Sequence, residues 1–329
     1  SFPPKGMYKA QVTCVGADGR WLYDDWKLAI ENITGDISCD INFSTITKTN
    51  LNDYIISLAG SAQGTGQVVN ENGYRYEGKN PNNYIWFNNE YWRIIGVFDS
   101  ASHGLDGKNL VKIIRASALG GLAWDKSVTN NWTTASLNFL LNGAYYNATD
   151  GTNSGYCIGN AARATIISNC NYTKKGIQAG YRGMIANVTW YLGGFSRTSA
   201  TTSAFYGYER GTTVYSGRPT STTGYIGLMY PSDYGYSVLS SSCTRTTNLG
   251  SYNSAKCAGQ SWLYGKGYEW TLTPDSSSSD CVFSLYYNGN LNSNNAFNGS
   301  GSRPVLYLDA SVYKIDGDGS LNNPYIVGL

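Results

Sequence analysis

The chain has 329 residues and a net charge of +2, and only 14% of it is charged, against roughly 25% in an average soluble domain. So weak and dispersed a charge excludes an electrostatic nucleic-acid footprint, and no run of about 18 apolar residues exists to cross a bilayer as a helix. The polar surface must be built from Asn, Ser, Thr, Gly and the 28 tyrosines, which suits a secreted, β-rich protein.

In chain order, Ser1-Phe-Pro-Pro4 opens without a Met, and a trimmed signal peptide or membrane anchor is expected before it. Residues 8–14 alternate as a strand, Gly16-Ala-Asp-Gly19 signals a turn, and residues 21–33 and 37–43 supply two further strands. These make a small β module over 1–46. Residues 47–82 are expected to be a short helix over 50–59, with Asn50 as its cap, and a Gly/Asn-rich linker. The main domain, 83–329, opens with a hairpin over 84–98 turning at Asn88-Asn-Glu90, then a strand over 110–115. Leu137, Leu140, Leu141 and Ala144 form a helical stripe over 133–146, capped by Thr133 or Thr134. A second helix is expected over 177–192, with Ile177, Tyr181, Ile185 and Val188 inward and Gly180 and Gly183 against it. Residues 194–222 read as a Ser/Thr/Tyr/Gly loop, 225–230 as a strand and 231–234 as a turn or short helix. Late strands fall at 262–273, 281–285 and 305–308; Asp316-Gly-Asp-Gly319 is a hairpin turn and Tyr325-Ile-Val327 closes the chain. Two helices among many short strands and long loops make an α+β fold.

Six of the seven cysteines lie as neighbouring pairs, with no Cys-x-x-Cys and a single histidine remote from all of them. A zinc site is poorly supported. Local even pairing predicts disulfides Cys14–Cys39, Cys157–Cys170 and Cys243–Cys257 in an oxidising compartment; the alternative is buried free thiols. Cys281 is left over.

Residues 284–302 read Ser-Leu-Tyr-Tyr-Asn-Gly-Asn-Leu-Asn-Ser-Asn-Asn-Ala-Phe-Asn-Gly-Ser-Gly-Ser, without a charge. This is the vocabulary of an antibody paratope, in which Tyr gives rigid amphipathic area and Ser, Asn and Gly adaptable hydrogen bonds. Such a loop framed by strands points to binding.

Trp270-Thr-Leu-Thr-Pro274, Val282-Phe283, the Gly/Asn/Tyr run and Ser302-Arg-Pro-Val-Leu-Tyr-Leu308 together resemble the C-terminal region of variable proteins of diversity-generating retroelements. Segments 84–98 and 124–146 and the ending Gly317-Asp-Gly-Ser-Leu-Asn-Asn-Pro-Tyr325 look like large surface proteins of gut-type Gram-positive bacteria with the same domain. The resemblance covers roughly residues 75–329. It implies a C-type-lectin-like fold of the formylglycine-generating-enzyme type and a patch diversified by randomising template adenines. Asn codons are the usual targets, and they cannot yield Lys, Glu, Gln, Met or Trp; residues 275–302 contain none of these five. The expected patch is Asp280, Cys281, Ser284, Tyr286, Tyr287, Asn288, Asn290, Asn292, Ser293, Asn294, Asn295, Phe297 and Asn298, with Tyr286, Tyr287 and Phe297 as anchors. A merely polar surface loop is the bland alternative.

Catalytic groups are sparse. The lone His103 sits in a Gly/Asp turn with no Ser/His/acid set, and Glu90, Glu209 and Glu269 have no glycosidase spacing. Asp316 and Asp318 give alternating oxygens like the start of a calcium loop, but the closing Glu is missing, which leaves a plain β-turn as the alternative. Arg303 is expected beneath the patch, bonded to backbone carbonyls. Trp86, Trp92, Trp124, Trp132 and Trp270 are expected mostly in the core. The expectation is therefore a bacterial, extracellular or surface-displayed adhesin-like protein that is not an enzyme. It needs no cofactor or metal and no nucleic acid, and meets a membrane only through a removed anchor. Its partner would be a protein or glycan on another cell or phage. The alternatives are a structural subunit of a surface filament or layer and a formylglycine-generating-type enzyme.

Overall fold

A computed structural model describes residues 7–23, 25–160, 165–166, 169–196 and 199–329. The opening Ser1-Phe-Pro-Pro4, and Asp24 within the expected strand run 21–33, lie outside the described residues.

Residues 7–45 carry four strands rather than three. Tyr8–Val15 pairs antiparallel with Ser38–Thr45, which sets Cys14 opposite Cys39, and the two are joined by a disulfide. The run 21–33 splits instead into the hairpin Asp18–Leu22 and Lys27–Glu31. Trp21 packs edge-on against Trp26 at 5.3 Å and Phe43 at 5.2 Å, and Trp26 stacks on Phe43 at 6.1 Å, as a small aromatic core. So thin a layer cannot bury much apolar surface, and the covalent staple compensates.

The main sheet has eleven strands and curls into a half-barrel. Its path runs Ile226–Gly227, Val305–Leu308, Leu110–Arg115, Glu90–Phe98, Tyr84–Phe87, Tyr325–Gly328, Tyr313–Asp316 and Thr49–Asn50. Asn88 and Asn89, at φ 56° and 60°, make the tight turn of the expected 84–98 hairpin. The expected linker belongs to the same sheet. Ala62–Gln63, Thr65–Asn70 and Tyr74–Asn80 are strands, and the last pairs with the Glu90–Phe98 strand beyond its irregularity at Ile94/Gly96. A bulge lets one strand change partners, a tertiary event that local composition does not announce.

Helices are shorter than expected, and there are more of them among the described residues. Leu51–Ser57 forms without a side-chain cap from Asn50, whose backbone instead continues a strand opposite Tyr313. The 133–146 segment is a 3-10 turn Trp132–Thr134, an α turn Ser136–Leu140 and a π turn Leu141–Tyr145. Asn131, not Thr133 or Thr134, accepts the capping bond. Over 177–192 only Ala179–Arg182 is helical, and Val188–Tyr191 is a strand paired with Ser221–Gly224; Gly183 stands at the helix's end and Gly180 within it, and the low helix propensity of Gly keeps it short. Conversely, the supposed loop 194–222 holds the helix Thr202–Glu209, capped by the Thr201 hydroxyl. Of the expected strand 262–273 only Glu269–Pro274 is extended.

The disulfides Cys157–Cys170 and Cys243–Cys257 complete three bridges, and Cys281 is free. Three disulfides indicate an oxidising, extracellular environment. Among the described residues no helix is long and apolar enough to cross a membrane.

Candidate functional site

The run 284–302 is not a loop. A smaller sheet is ordered Gly121–Ala123, Gly299–Gly301, Glu269–Pro274, Cys281–Leu285, Leu291–Asn295, so the run supplies an edge hairpin with its tip at 286–290 and a second strand at 299–301. Asn is a poor strand former. Here burial overrides propensity: Val282, Phe283, Leu285 and Leu291 are all buried, and Phe283 meets Phe205 edge-on at 5.2 Å.

The antiparallel register sets Leu285 opposite Leu291, Phe283 opposite Ser293 and Cys281 opposite Asn295 on one face, and Ser284 opposite Asn292 and Val282 opposite Asn294 on the other. Side chains alternate between faces. At the hairpin tip lies a tyrosine group: Tyr268 is 4.9 Å from Tyr286 and 5.6 Å from Tyr287, ring centre to ring centre. Tyr287 is 61% exposed and Tyr268 44%. A shallow depression of about 280 Å³ beside them is lined by Tyr286, Asn294, Asn298 and Asn160. Tyr268 and Asn160 were not singled out in the sequence. Both lie far from the Asn/Tyr run in sequence, and only the sheet brings them to it.

The expected patch residues differ in what they can offer. Asn292 is exposed, and Tyr286, Asn288, Asn290, Asn294, Asn295, Phe297 and Asn298 are half-buried. Several polar groups are already engaged. Asn290 Oδ1 accepts from the Asn253 amide at 2.8 Å, Asn288 Oδ1 from the Asn290 amide, and Asn294 Oδ1 from Asn298 Nδ2 at 2.7 Å. Ser293 Oγ donates to Asp275 at 2.9 Å. Asp280 accepts from Ser278 Oγ and from the Cys281 thiol, which also donates to Asn295 Oδ1 at 3.0 Å. Burial, with the Asp280 carboxylate adding to it, pushes the Cys281 thiol up. Ser284 is fully buried, and its hydroxyl has no hydrogen-bond partner among the described residues. So closed a side chain cannot meet a ligand, which corrects its place in the expected patch.

The hairpin is held from below and at its tip. Gly289 sits at φ 86°, and Tyr234 donates its hydroxyl to the Gly289 carbonyl at 2.7 Å. Tyr264 donates to the Tyr287 carbonyl. Arg303, expected beneath the patch and bonded to backbone carbonyls, is buried and bonds one carbonyl, Leu263, and otherwise pairs with the Glu269 carboxylate at 2.5 Å.

The remaining candidates are occupied by structure. His103 is buried between the Phe98 carbonyl and the Leu105 amide. Glu90 pairs with Arg115, and Glu209 accepts from the Ser232 amide and hydroxyl. Asp316 pairs with Lys9 at 2.6 Å and accepts from Tyr23, while Asp318 accepts from the Ser320 amide. No group of three or more His, Cys, Asp or Glu side chains that could hold a metal occurs among the described residues. Of the five expected core tryptophans, Trp92, Trp124, Trp132 and Trp270 are buried, but Trp86 is not. Sequence reasoning missed a buried charge cluster altogether. Asp233 lies 3.1 Å from Arg75 and 2.5 Å from Lys112, beneath Tyr230 and Tyr307. Burial alone would raise the Asp233 carboxyl, but Lys112 and Arg75 outweigh it and hold the carboxyl below its usual range.

No protein-family model, no curated protein and no solved structure matches the chain.

Proposed function

We propose that the chain is a surface-displayed, C-type-lectin-like ligand-binding protein of the variable, retroelement-diversified kind, with its binding patch on the outward side of the 281–299 hairpin. The observation that carries this reading is the uncharged tyrosine-and-asparagine group at the hairpin: Tyr268, Tyr286, Tyr287, Asn292 and Asn294 on a backbone fixed by buried Val282, Phe283, Leu285 and Leu291. Rigid aromatics contribute contact area at low entropic cost, and amides adapt their hydrogen bonds to the partner. Because the core contacts come from separate positions, outward side chains can vary without unfolding the sheet. The partner is a protein or glycan on another cell or phage. Cys243 and Cys257 are bonded to each other and the Cys281 thiol is held by Asn295 and Asp280, which favours binding over formylglycine-generating chemistry.

Two tests bear on this reading. The neighbouring DNA should hold a reverse transcriptase and a near-copy of codons 275–304 differing only at adenines; its absence removes the diversification. Replacing Tyr286, Tyr287 and Phe297 by Ala should abolish ligand capture with little change in melting temperature, and a large drop would make them core residues.

A second reading, a subunit of a surface filament or layer, draws on the apolar exposure of the N-terminal module at Met7, Val15, Ile30, Ile33 and Ile37. Sedimentation across a hundredfold concentration range separates the two, since a subunit self-associates and a displayed receptor stays monomeric.

A further inference from the structure

We propose that the cleft between the N-terminal β module and the main sheet is a second binding site, for a neutral oligosaccharide. It consists of two adjoining cavities of about 280 and 430 Å³ that share Tyr23, Asp25, Asn89 and Tyr181 in their walls. Small-ligand sites run to roughly 300–1,000 Å³ and favour boundaries between folding units. This cleft has no residue in common with the hairpin patch, so the proposal does not depend on the retroelement reading.

Trp86 is the starting observation. Ile85 and Phe87 point into the core, so strand alternation turns Trp86 outward, into the larger-walled end of the cleft. Tyr91 touches the indole edge-on at 5.0 Å, and Arg20 lies 5.7 Å from the ring centre. The Arg20 guanidinium thus lies over the indole, and no aromatic ring among the described residues stacks on it. A sugar ring presents C–H groups on its faces and hydroxyls round its rim. It therefore asks for an aromatic face with planar polar side chains beside it.

Asn89, exposed at the hairpin turn, supplies both donor and acceptor groups; its carbonyl oxygen accepts from Tyr181 at 3.3 Å, which orients the amide. Asp25 supplies an acceptor and has no ion pair or hydrogen bond among the described residues. Arg20 supplies donors, and its only ion pair there is a 3.9 Å contact with exposed Glu31. Arg20 and Asp25 offset each other and Asp316, the third charged side chain in the walls, is paired with Lys9, which selects an uncharged ligand over an acidic or basic one. The walls are held in register before any ligand arrives: Lys9 and Tyr23 of the module both reach Asp316 of the main sheet, at 2.6 and 3.2 Å. A preformed cleft avoids the ordering cost of binding.

The test uses the full chain, with tryptophan fluorescence and calorimetric titration against cellohexaose, maltohexaose, xylohexaose and chitohexaose. At least one should give saturable binding. Trp86→Ala and Asn89→Gly, the latter chosen because residue 89 has positive φ, should each weaken it about tenfold or more, or roughly 1.4 kcal/mol, while melting as the parent does. Tyr287→Ala should bind that sugar unchanged. The proposal is overturned if no sugar saturates, if Trp86→Ala binds like the parent, or if a proline-rich decapeptide saturates the cleft instead of a sugar.

Discussion

At Ser284 and Tyr287, three positions apart in one hairpin, the same patch contains opposite physical situations. Tyr287 is mostly in water, and Tyr287→Ala should shift stability by no more than about 0.5 kcal/mol, as surface substitutions do. Ser284 is fully buried and its hydroxyl has no partner among the described residues, so Ser284→Asn inserts volume and an amide with nothing to bond. A cost of about 1–3 kcal/mol is expected from overpacking, read as a fall in denaturant midpoint. Equal midpoints for the two variants would show that residue 284 is displayed after all. Cys281 belongs between these cases. Its raised thiol should react with a disulfide reagent at pH 8 more slowly than free cysteine does, because the thiolate is the nucleophile.

At the scale of elements, the edge hairpin depends on how its tip is seated. Gly289 has φ 86°, and a Cβ added there would stand 2.3 Å from the Ala258 Cβ. Gly289→Ala therefore strains the backbone and collides with the segment that follows the Cys243–Cys257 bridge. Protection of the hairpin amides against hydrogen exchange should fall by about tenfold or more, corresponding to roughly 1–3 kcal/mol, while the main sheet keeps its protection. Legibility in the sequence stops at the same scale. The alternation at 84–98 and the apolar 281–285 and 305–308 were readable because each strand has a buried face of its own. The strand Leu291–Asn295 was not, since four of its five residues are Asn or Ser and only pairing with Cys281–Leu285 makes it extended. Likewise residues 62–80 look like a linker until the irregularity at Ile94/Gly96 gives them a partner.

Over the whole molecule, buried charge makes stability depend on pH. Burial pushes Glu209 up to about 7 and Glu77 up to about 8, with Arg210 and Arg245 opposing in turn. Both carboxyls release their protons at lower pH in the unfolded chain. Their contribution is therefore full below about 4.5 and is lost as pH rises through 7 and 8. Lys112, pushed down to about 8 by burial against the pull of Asp233, acts in a higher window: its contribution is present above its unfolded pKa and lost as pH falls through 8. Melting temperature should thus decline from pH 5 to pH 8, and Glu209→Gln should flatten that decline; a parallel curve would place the dependence elsewhere. Lys112→Met leaves Asp233 one cation short in a closed site, and a loss of about 3–5 kcal/mol is expected by chemical denaturation.

Composition and local pattern by themselves determined the α+β class, the three cysteine pairs and the uncharged Asn/Tyr run, because each depends on residues near one another in the chain. Tertiary structure alone decided which face of that run meets water and that Tyr268 joins it. It also decided that the supposed linker is sheet, that Arg75, Lys112 and Asp233 converge, and that Trp86 looks into a cleft. Those outcomes depend on strand register and on contacts between distant segments, and a one-residue change of register would reverse every face.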